Sequence, residues 1–426
     1  MPQPSCNWQQ SLHCAAISHV GMRRANNQDS HTEVLAGDEE HWLHRGHLFI
    51  VADGMGAHAA GELASKMAVD HVSHLYQKYS QLSPPEAIHK AFVGANTTIH
   101  QRGEANAEFH RMGTTCSALL LLPQGALVAH VGDSRVYLLR GGRLHQLTFD
   151  HSLVWEMRAA GELPLNADGK PAIPRNVITR SLGPHPQVQV DLEGPFPLEP
   201  GDTFLLASDG LTGPVADEEI GAAMAHLPPD AAAQFLVDLA NLRGGPDNVT
   251  VSIARIVSTK TLPRSAAASP LSVGGELDRP PAVHPTAWVT AGVASLATLG
   301  MLATQHWISA VVTLVLAAVS ILVILIQRYG KRGRSRVELA SGRRLGRGPH
   351  SRLDLAASPR IISQLAAELA ELQTRGANSG ASAAPTLATS APESAHMQPL
   401  AETARKLASQ LRPKISPGVG DSVFDL

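Results

Sequence analysis

Short unbroken apolar runs, such as Leu48-Phe49-Ile50-Val51 and Phe204-Leu205-Leu206, are bounded by Asp, Ser and Gly, and they read as strands buried on both faces. Similar runs predict strands over 14–20, 114–122, 126–131, 135–139, 203–207 and 249–257. The strand through Val51 is expected to stop at Asp53, because Gly54 and Gly56 allow the backbone to turn sharply there. Beyond it Leu63, Met67, Val69, Val72, Leu75 and Tyr76 recur at helical spacing and predict a helix over 59–79. A second helix is predicted over 84–102, and two more helical stretches precede Gly244-Gly245. The N-terminal part therefore mixes helices and strands.

The 426 residues exceed one ordinary domain, and the pattern changes near Ser258. Residues 258–286 are rich in Pro, Ala, Ser and Gly and read as a linker. From Pro280 to Gln327 there is no Asp, Glu, Lys or Arg, about twice the ~20 residues that one membrane helix needs. Gln305-His306 divides this stretch into two candidate spans, 287–304 and 307–326. The basic residues that follow, among them Arg328, Lys331, Arg332, Arg334 and Arg336, mark that end as cytoplasmic by the positive-inside rule. A two-helix hairpin then leaves both chain ends in the cytoplasm, whereas a single span would put the N-terminal unit outside. We read the hairpin, which places the chain in the inner (cytoplasmic) membrane, in contact with lipid, with the N-terminal unit facing the cytoplasm. The tail, 327–426, is basic at first and then of low complexity, with short amphipathic helices expected near 361–375 and 400–411.

Charged residues make up 17% of the chain and the formal net charge is -2, which argues against nucleic acid held by bulk charge. Cys6, Cys14 and Cys116 form neither a metal-binding pair nor a disulfide framework, in keeping with a reducing compartment. No secretory signal opens the chain.

Candidate chemistry lies in the acids at or beside strand ends: Asp29, Asp53, Asp133, Asp209 and Asp247. One such Asp is ordinary turn or cap chemistry. Five are harder to dismiss, since strand ends of one layer converge, and converging carboxylates stay ionised only if cations neutralise them. Carboxylates with a bare carbonyl, as at Gly54, suit magnesium or manganese. Two such ions bridged by an Asp and a water would lower that water's pKa enough to make a nucleophile at neutral pH. Zinc motifs and nucleotide-binding loops are missing. Metal-assisted hydrolysis is the chemistry left, and a phosphoester is the expected substrate.

These residues also carry a resemblance. Arg24 with Asn27-Gln28-Asp29, and Asp53-Gly54-Met55-Gly56-Ala57-His58 with Gly61-Glu62, resemble the metal-dependent type 2C protein serine/threonine phosphatases of bacterial type. Met112-Gly113-Thr114-Thr115, Val131-Gly132-Asp133-Ser134-Arg135, Asp150-His151-Ser152, Ser208-Asp209-Gly210-Leu211 and Gly245-Pro246-Asp247-Asn248 continue it in the family's order. It spans roughly 10–257, so residues 1–257 form the expected catalytic domain, with a flap at about 154–183 that includes Arg175-Asn176 and Thr179-Arg180.

The resemblance implies an α+β fold, a four-layer sandwich of two antiparallel β-sheets flanked by α-helices; the transmembrane helices read from the charge-free stretch lie C-terminal to it and outside the resemblance. It implies that Asp53 bridges two Mn2+ or Mg2+ ions, with the Gly54 carbonyl on one of them, completed by Asp209 and Asp247. Asp29 would act through bound water, and Asp133 with Asp209 would hold a weaker third ion. Arg24 would bind phosphate, and His58 would protonate the leaving serine or threonine oxygen. Gln28 departs from the Glu of many members, and Ala57 from the second Gly of the Gly-Gly-His step. The activity implied is hydrolysis of phosphoserine and phosphothreonine in proteins, opposing a serine/threonine kinase in bacterial signalling. The alternative is a scaffold that binds phosphoproteins without turning them over, and the full set of acids weighs against it.

Overall fold

The computed structural model describes residues 11–56, 59–166, 171–174 and 177–258, and beyond these only scattered positions between 272 and 367. Two compact units are present: Met1–Ser269 with Ala340–Leu426, and Pro270–Leu339.

The first unit begins with β1 (Leu12–His19), β2 (Asp29–Val34), α1 (Glu39–Arg45), β3 (His47–Met55), α2 (Ala60–Lys78) and α3 (Pro84–Ala105). It continues with β4 (Gly113–Thr114), β5 (Cys116–Leu122), β6 (Gly125–Val131), β7 (Arg135–Arg140), β8 (Arg143–Gln146) and α4 (Leu153–Ala160). Then come β9 (Asp191–Phe196), β10 (Thr203–Ala207), α5 (Asp209–Thr212), α6 (Asp217–His226), α7 (Pro229–Leu242) and β11 (Val249–Ile256). One antiparallel sheet has the order β1-β11-β10-β7-β8, the other β2-β3-β5-β6-β9, with β4 paired to β3.

Side chains alternate across the first sheet as a pleat requires. Val136, Leu138, Phe204, Leu206, Ala254 and Ile256 point between the sheets, where they meet Phe49, Val51, Leu119, Leu121 and Val128. Their neighbours Tyr137, Leu139, Leu205, Val251 and Ile253 point the other way, into a second core with Ile220, Met224, Phe235 and Leu236 of α6 and α7. The second sheet has α2 on β2 and β3, backed by α3. Helices thus flank both sheets, the layered α+β arrangement expected, and burial on two faces explains the unbroken apolar runs.

The differences from expectation have local causes. The strand through Val51 does not stop at Asp53 but runs to Met55, because Gly54 and Met55 find partners in Thr114 and Gly113 of β4. Strand β2 was not predicted: Asp29-Ser30-His31-Thr32-Glu33-Val34 is too polar, which suits its place at a sheet edge. The seven-residue α1 is set by its cap, where Asp38 Oδ1 accepts from the His41 backbone N–H at 2.7 Å.

In the second unit β12 (Ser272–Val273) pairs with β13 (Val337–Glu338). The candidate spans 287–304 and 307–326 fall largely outside the described residues. Among the described residues no helix is long and apolar enough to cross a membrane. Those described there are mostly helical, and Val293, Leu296, Val311, Val312, Leu314 and Val315 are exposed. In the tail, β14 (His350–Arg352) pairs antiparallel with β8. Ile361, Gln364, Leu365 and Ala367 are helical, as the amphipathic pattern suggested, and Leu365 is buried in the core beside α6 and α7. The helix expected near 400–411 lies outside the described residues.

The turn from β6 to β7 carries the chain from one sheet to the other. It depends on Gly132, whose φ of +117° belongs to glycine and where a Cβ would lie 2.5 Å from Thr115 Cβ. Gly141 also has positive φ (+54°) but faces open space. Gly141→Ala is expected to cost about 1–2 kcal/mol from backbone strain alone. Gly132→Ala is expected to cost about 1–3 kcal/mol more from overpacking. Thermal melts of the two variants check this, and equal losses would contradict it.

Candidate active site

The fold brings all five predicted aspartates to one end of the sandwich. Asp29 opens β2 directly across from Asp53 of β3, as Cα partners in the register. Asp133 sits in the Gly132 turn, Asp209 is the first residue of α5 just after β10, and Asp247 immediately precedes Asn248 and β11. Asp53 feels the charge of Asp29, Asp209, Asp133 and Asp247, and comes within hydrogen-bonding reach of Asp209. Two carboxylates can share a hydrogen bond only if one carries a proton.

Burial first, and the neighbouring carboxylates second, push Asp53, Asp133 and Asp209 up. Asp133 rises to about 7, and Asp53 and Asp209 are also raised. Asp29 reaches about 7 through burial, although hydroxyls of Thr250 and Ser208 pull it down. Both hydroxyls donate to the same oxygen, Asp29 Oδ2, at 2.7 Å. Asp29 Oδ1, Asp133 Oδ1 and Asp209 Oδ1 are buried with no hydrogen-bond partner. Buried acceptors left open in this way lose about 1–3 kcal/mol each unless something fills them. Among the described residues no three His, Cys, Asp or Glu side chains form a closed metal-binding group.

A layer of hydroxyls and amides fixes the acids, and the sequence singled out none of these residues for a role. Asp53 N donates to Thr115 Oγ1 at 2.9 Å, and the carbonyl of Asp53 accepts from Thr114 Oγ1 at 2.8 Å. Thr115 Oγ1 in turn shares a 2.7 Å hydrogen bond with Ser134 Oγ in the Gly132 turn. Asn248 clamps the polar loop that leads to Asp29: its Oδ1 accepts from Gln28 N at 2.8 Å, and its Nδ2 donates to Val20 O at 2.8 Å and Asn26 O at 3.0 Å. Gly54 is tightly enclosed, and a Cβ there would meet the Gly61 carbonyl oxygen at 2.0 Å. Most of these residues lie within the motifs quoted above, so the signal was present without a role attached to it.

Arg24 is half-exposed and donates to Asp247 Oδ2 at 2.7 Å, so the predicted phosphate-binding cation stands at the acids. His58 lies outside the described residues, as do Arg175 and Asn176. Within the flap, α4 is followed by bridges Leu165–Pro171 and Ser152–Ile178, and Leu182 is hydrogen-bonded to Thr114 in both directions. Thr179 donates to Glu156 Oε1 at 2.6 Å, and Arg180 donates to Asp191 Oδ1 at 2.8 Å. The Gly132 amide donates to His151 Nδ1 at 3.0 Å, which leaves the ring proton on Nε2, 3.2 Å from Asp191 Oδ2.

Known proteins resemble this chain in sequence and fold. The profile of the family described as "Protein phosphatase 2C" matches residues 19–242. The protein phosphatase PhpP of Streptococcus pneumoniae is 38% identical over 250 residues, 57% of this chain and 96% of its own length. The serine/threonine protein phosphatase PstP of Mycobacterium tuberculosis is 38% identical over 247 residues, 58% of this chain but 45% of its own length. A crystal structure of the Mycobacterium tuberculosis serine/threonine phosphatase PstP/Ppp, 36% identical, superposes with a TM-score of 0.50 over 58% of this chain and 99% of that one. With the profile matching residues 19–242 and nearly the whole of PhpP covered, this chain belongs to the protein phosphatase 2C family.

Proposed function

We propose that the chain is a membrane-tethered, metal-dependent protein phosphatase that hydrolyses phosphoserine and phosphothreonine and opposes a serine/threonine kinase from the cytoplasmic face of the membrane. One observation carries the chemistry: Asp29, Asp133 and Asp209 each hold a buried carboxylate oxygen with no partner at the same end of the sandwich. Oxygens of this kind fit hard divalent cations. Asp53, the Gly54 carbonyl, Asp209 and Asp247 would hold two manganese or magnesium ions, and Asp133 with Asp209 a weaker third. When bound, such ions supply a water acidic enough to attack phosphorus at neutral pH. Asp29, tied to Ser208 and Thr250 through one oxygen, keeps the other aimed inward to orient water. Arg24 offers phosphate a planar fork and exchanges Asp247 for it when substrate arrives. His58 protonates the leaving oxygen, as its match to the family motif implies.

Tethering is supported by the charge-free stretch from Pro280 to Gln327. The exposed Val and Leu side chains described within it would lose that apolar surface to lipid. Reporters fused before Met1 and after Leu426 should both read cytoplasmic. Opposite readings at the two ends would leave a single span.

Asp53→Asn and Asp209→Asn each remove charge from the centre of the site. Several kcal/mol of transition-state stabilisation correspond to a loss on the order of 10³-fold in manganese-dependent release of phosphate from a phosphothreonine peptide. Turnover near the wild-type level in either variant would remove the site assignment.

Proton linkage gives an independent prediction. A carboxylate raised in the folded state binds its proton more tightly there than in the unfolded chain, so it favours folding at acidic pH. That contribution is lost as pH climbs from the ordinary carboxylate range through about 7, where Asp29 and Asp133 titrate. In chelator at pH 8, Asp53→Asn relieves the repulsion and should raise stability by about 1–2 kcal/mol, roughly 2–4 °C of melting temperature per kcal/mol in a domain this size. Manganese should raise the wild-type melting temperature more at pH 8 than at pH 5.5, and that of Asp53→Asn little at either. A manganese shift of equal size at both pH values would contradict the linkage.

A further inference from the structure

Beside the acids lies a cavity of about 310 Å³, closed on one side by the start of the flap. Asp133 and Asp209 border it, so it shares a wall with the site described above. Trp155 and Arg158 of α4 line it too, as does Arg135.

The charges in this lining do not cancel uniformly. Arg135 is mostly buried and committed to Asp150, with Nε 2.8 Å from Oδ2 and 3.1 Å from Oδ1, and Nη2 2.7 Å from Oδ2. That bidentate contact neutralises both partners. Asp150 also accepts from Gln146 Nε2 at 2.7 Å, so it has no capacity left to attract a ligand cation. Asp133 and Asp209 are the residues given to divalent cations. Arg158 remains: its side chain is exposed, and among the described residues no carboxylate pairs with it.

Arg158 is nevertheless held in place. Its guanidinium carbon lies 5.6 Å from the centre of the Trp155 ring, within cation–π range. The ring itself is fixed by Phe149, edge-on at 5.7 Å and 81°, and by the Arg135 guanidinium at 5.5 Å. A solvated arginine on a helix is ordinary, but one stacked on a braced tryptophan in the wall of a cavity is pre-organised for an anion.

We propose that this cavity is a specificity subsite: it takes an anionic side chain, carboxylate or phosphoryl, lying within about three residues of the scissile phosphoserine or phosphothreonine, and Arg158 on Trp155 is the group that recognises it. The reach follows from the shared wall, since an extended peptide advances ~3.3–3.6 Å per residue. A lysine in the same place would face Arg158, the cation of the lining that no carboxylate among the described residues neutralises. A neutral side chain would leave the free guanidinium unanswered. The subsite deepens the phosphatase reading and rests on it.

The test uses the full-length chain in detergent with manganese. Substrates are phosphothreonine peptides that differ at one position at a time, from three residues before the phosphothreonine to three after. That position carries Glu, a non-hydrolysable phosphonate residue, Gln or Lys, and an aryl phosphate serves as a substrate without flanks. At one or more positions the wild type should favour Glu or phosphonate over Gln by about fivefold in kcat/KM, mainly through KM, with Lys poorest. A preference for Glu alone assigns the subsite to carboxylates, and for phosphonate alone to multiply phosphorylated segments. Because the readout is a ratio within each variant, a general loss of activity cancels. Arg158→Ala should bring the ratio to about one, Arg158→Lys should keep part of it, and Arg158→Glu should turn it toward Lys. A wild type indifferent to flanking charge, or an Arg158→Glu ratio unchanged from wild type, overturns the subsite while leaving the phosphatase reading intact. A wild type that releases phosphate from neither the aryl ester nor any peptide overturns the reading and the subsite together.

Discussion

Carboxylates forced together in a low-dielectric setting are the constraint on which this site depends. The β2–β3 register sets Asp29 directly opposite Asp53, and a slip of one residue would send one of the two to the other face of the sheet. The rigid interior between the sheets, filled by Phe49, Val51, Phe204 and Leu206, gives the strand ends no freedom to spread. The repulsion therefore has to be answered chemically. Burial first, with neighbouring carboxylate charge added, holds Asp29 and Asp133 up at about 7.

The same contacts that fix the acids also join the two sheets. Asp29 belongs to one sheet, and the hydroxyls it accepts from, Ser208 and Thr250, come from the end of β10 and from β11 of the other. Thr115, at the start of the second sheet's central strands, is tied to Ser134 in the turn that enters the first. Stability and chemistry are thus set against each other at one place. The sandwich closes through polar groups, and the closure concentrates negative charge. Replacing an acid there should relax the fold while removing the activity, a trade expected where a site stores unfavourable interactions.

Much of this was legible in the chain. The strands of 126–131, 135–139 and 203–207 are apolar on both faces because both faces are buried, so their composition is unmistakable. The five aspartates stand out because each neighbours glycine, serine or asparagine beside such a run. What escaped has different causes. Edge strand β2 is polar, and Asp29 is its first residue rather than a loop acid. The end of β3 was misplaced because glycines permit a turn without requiring one, and pairing with β4 decided otherwise. The supporting Thr115, Ser134, Ser208 and Asn248 were visible only as motif letters, since their roles arise from contacts between residues as far apart as Asn26 and Asn248. The stacking of Arg158 on Trp155 leaves no mark beyond its three-residue spacing on α4.

Divalent cations that enter this cluster must displace protons from acids raised to about 7. Calorimetric titration of the full-length chain with manganese at pH 6.5, repeated in buffers of different ionisation enthalpy, counts the protons displaced per ion bound. Saturable binding of two or more ions with net release of at least one proton is the expected result, since groups that titrate at about 7 are mostly protonated at that pH. Binding without proton release, or no saturable binding, would contradict it.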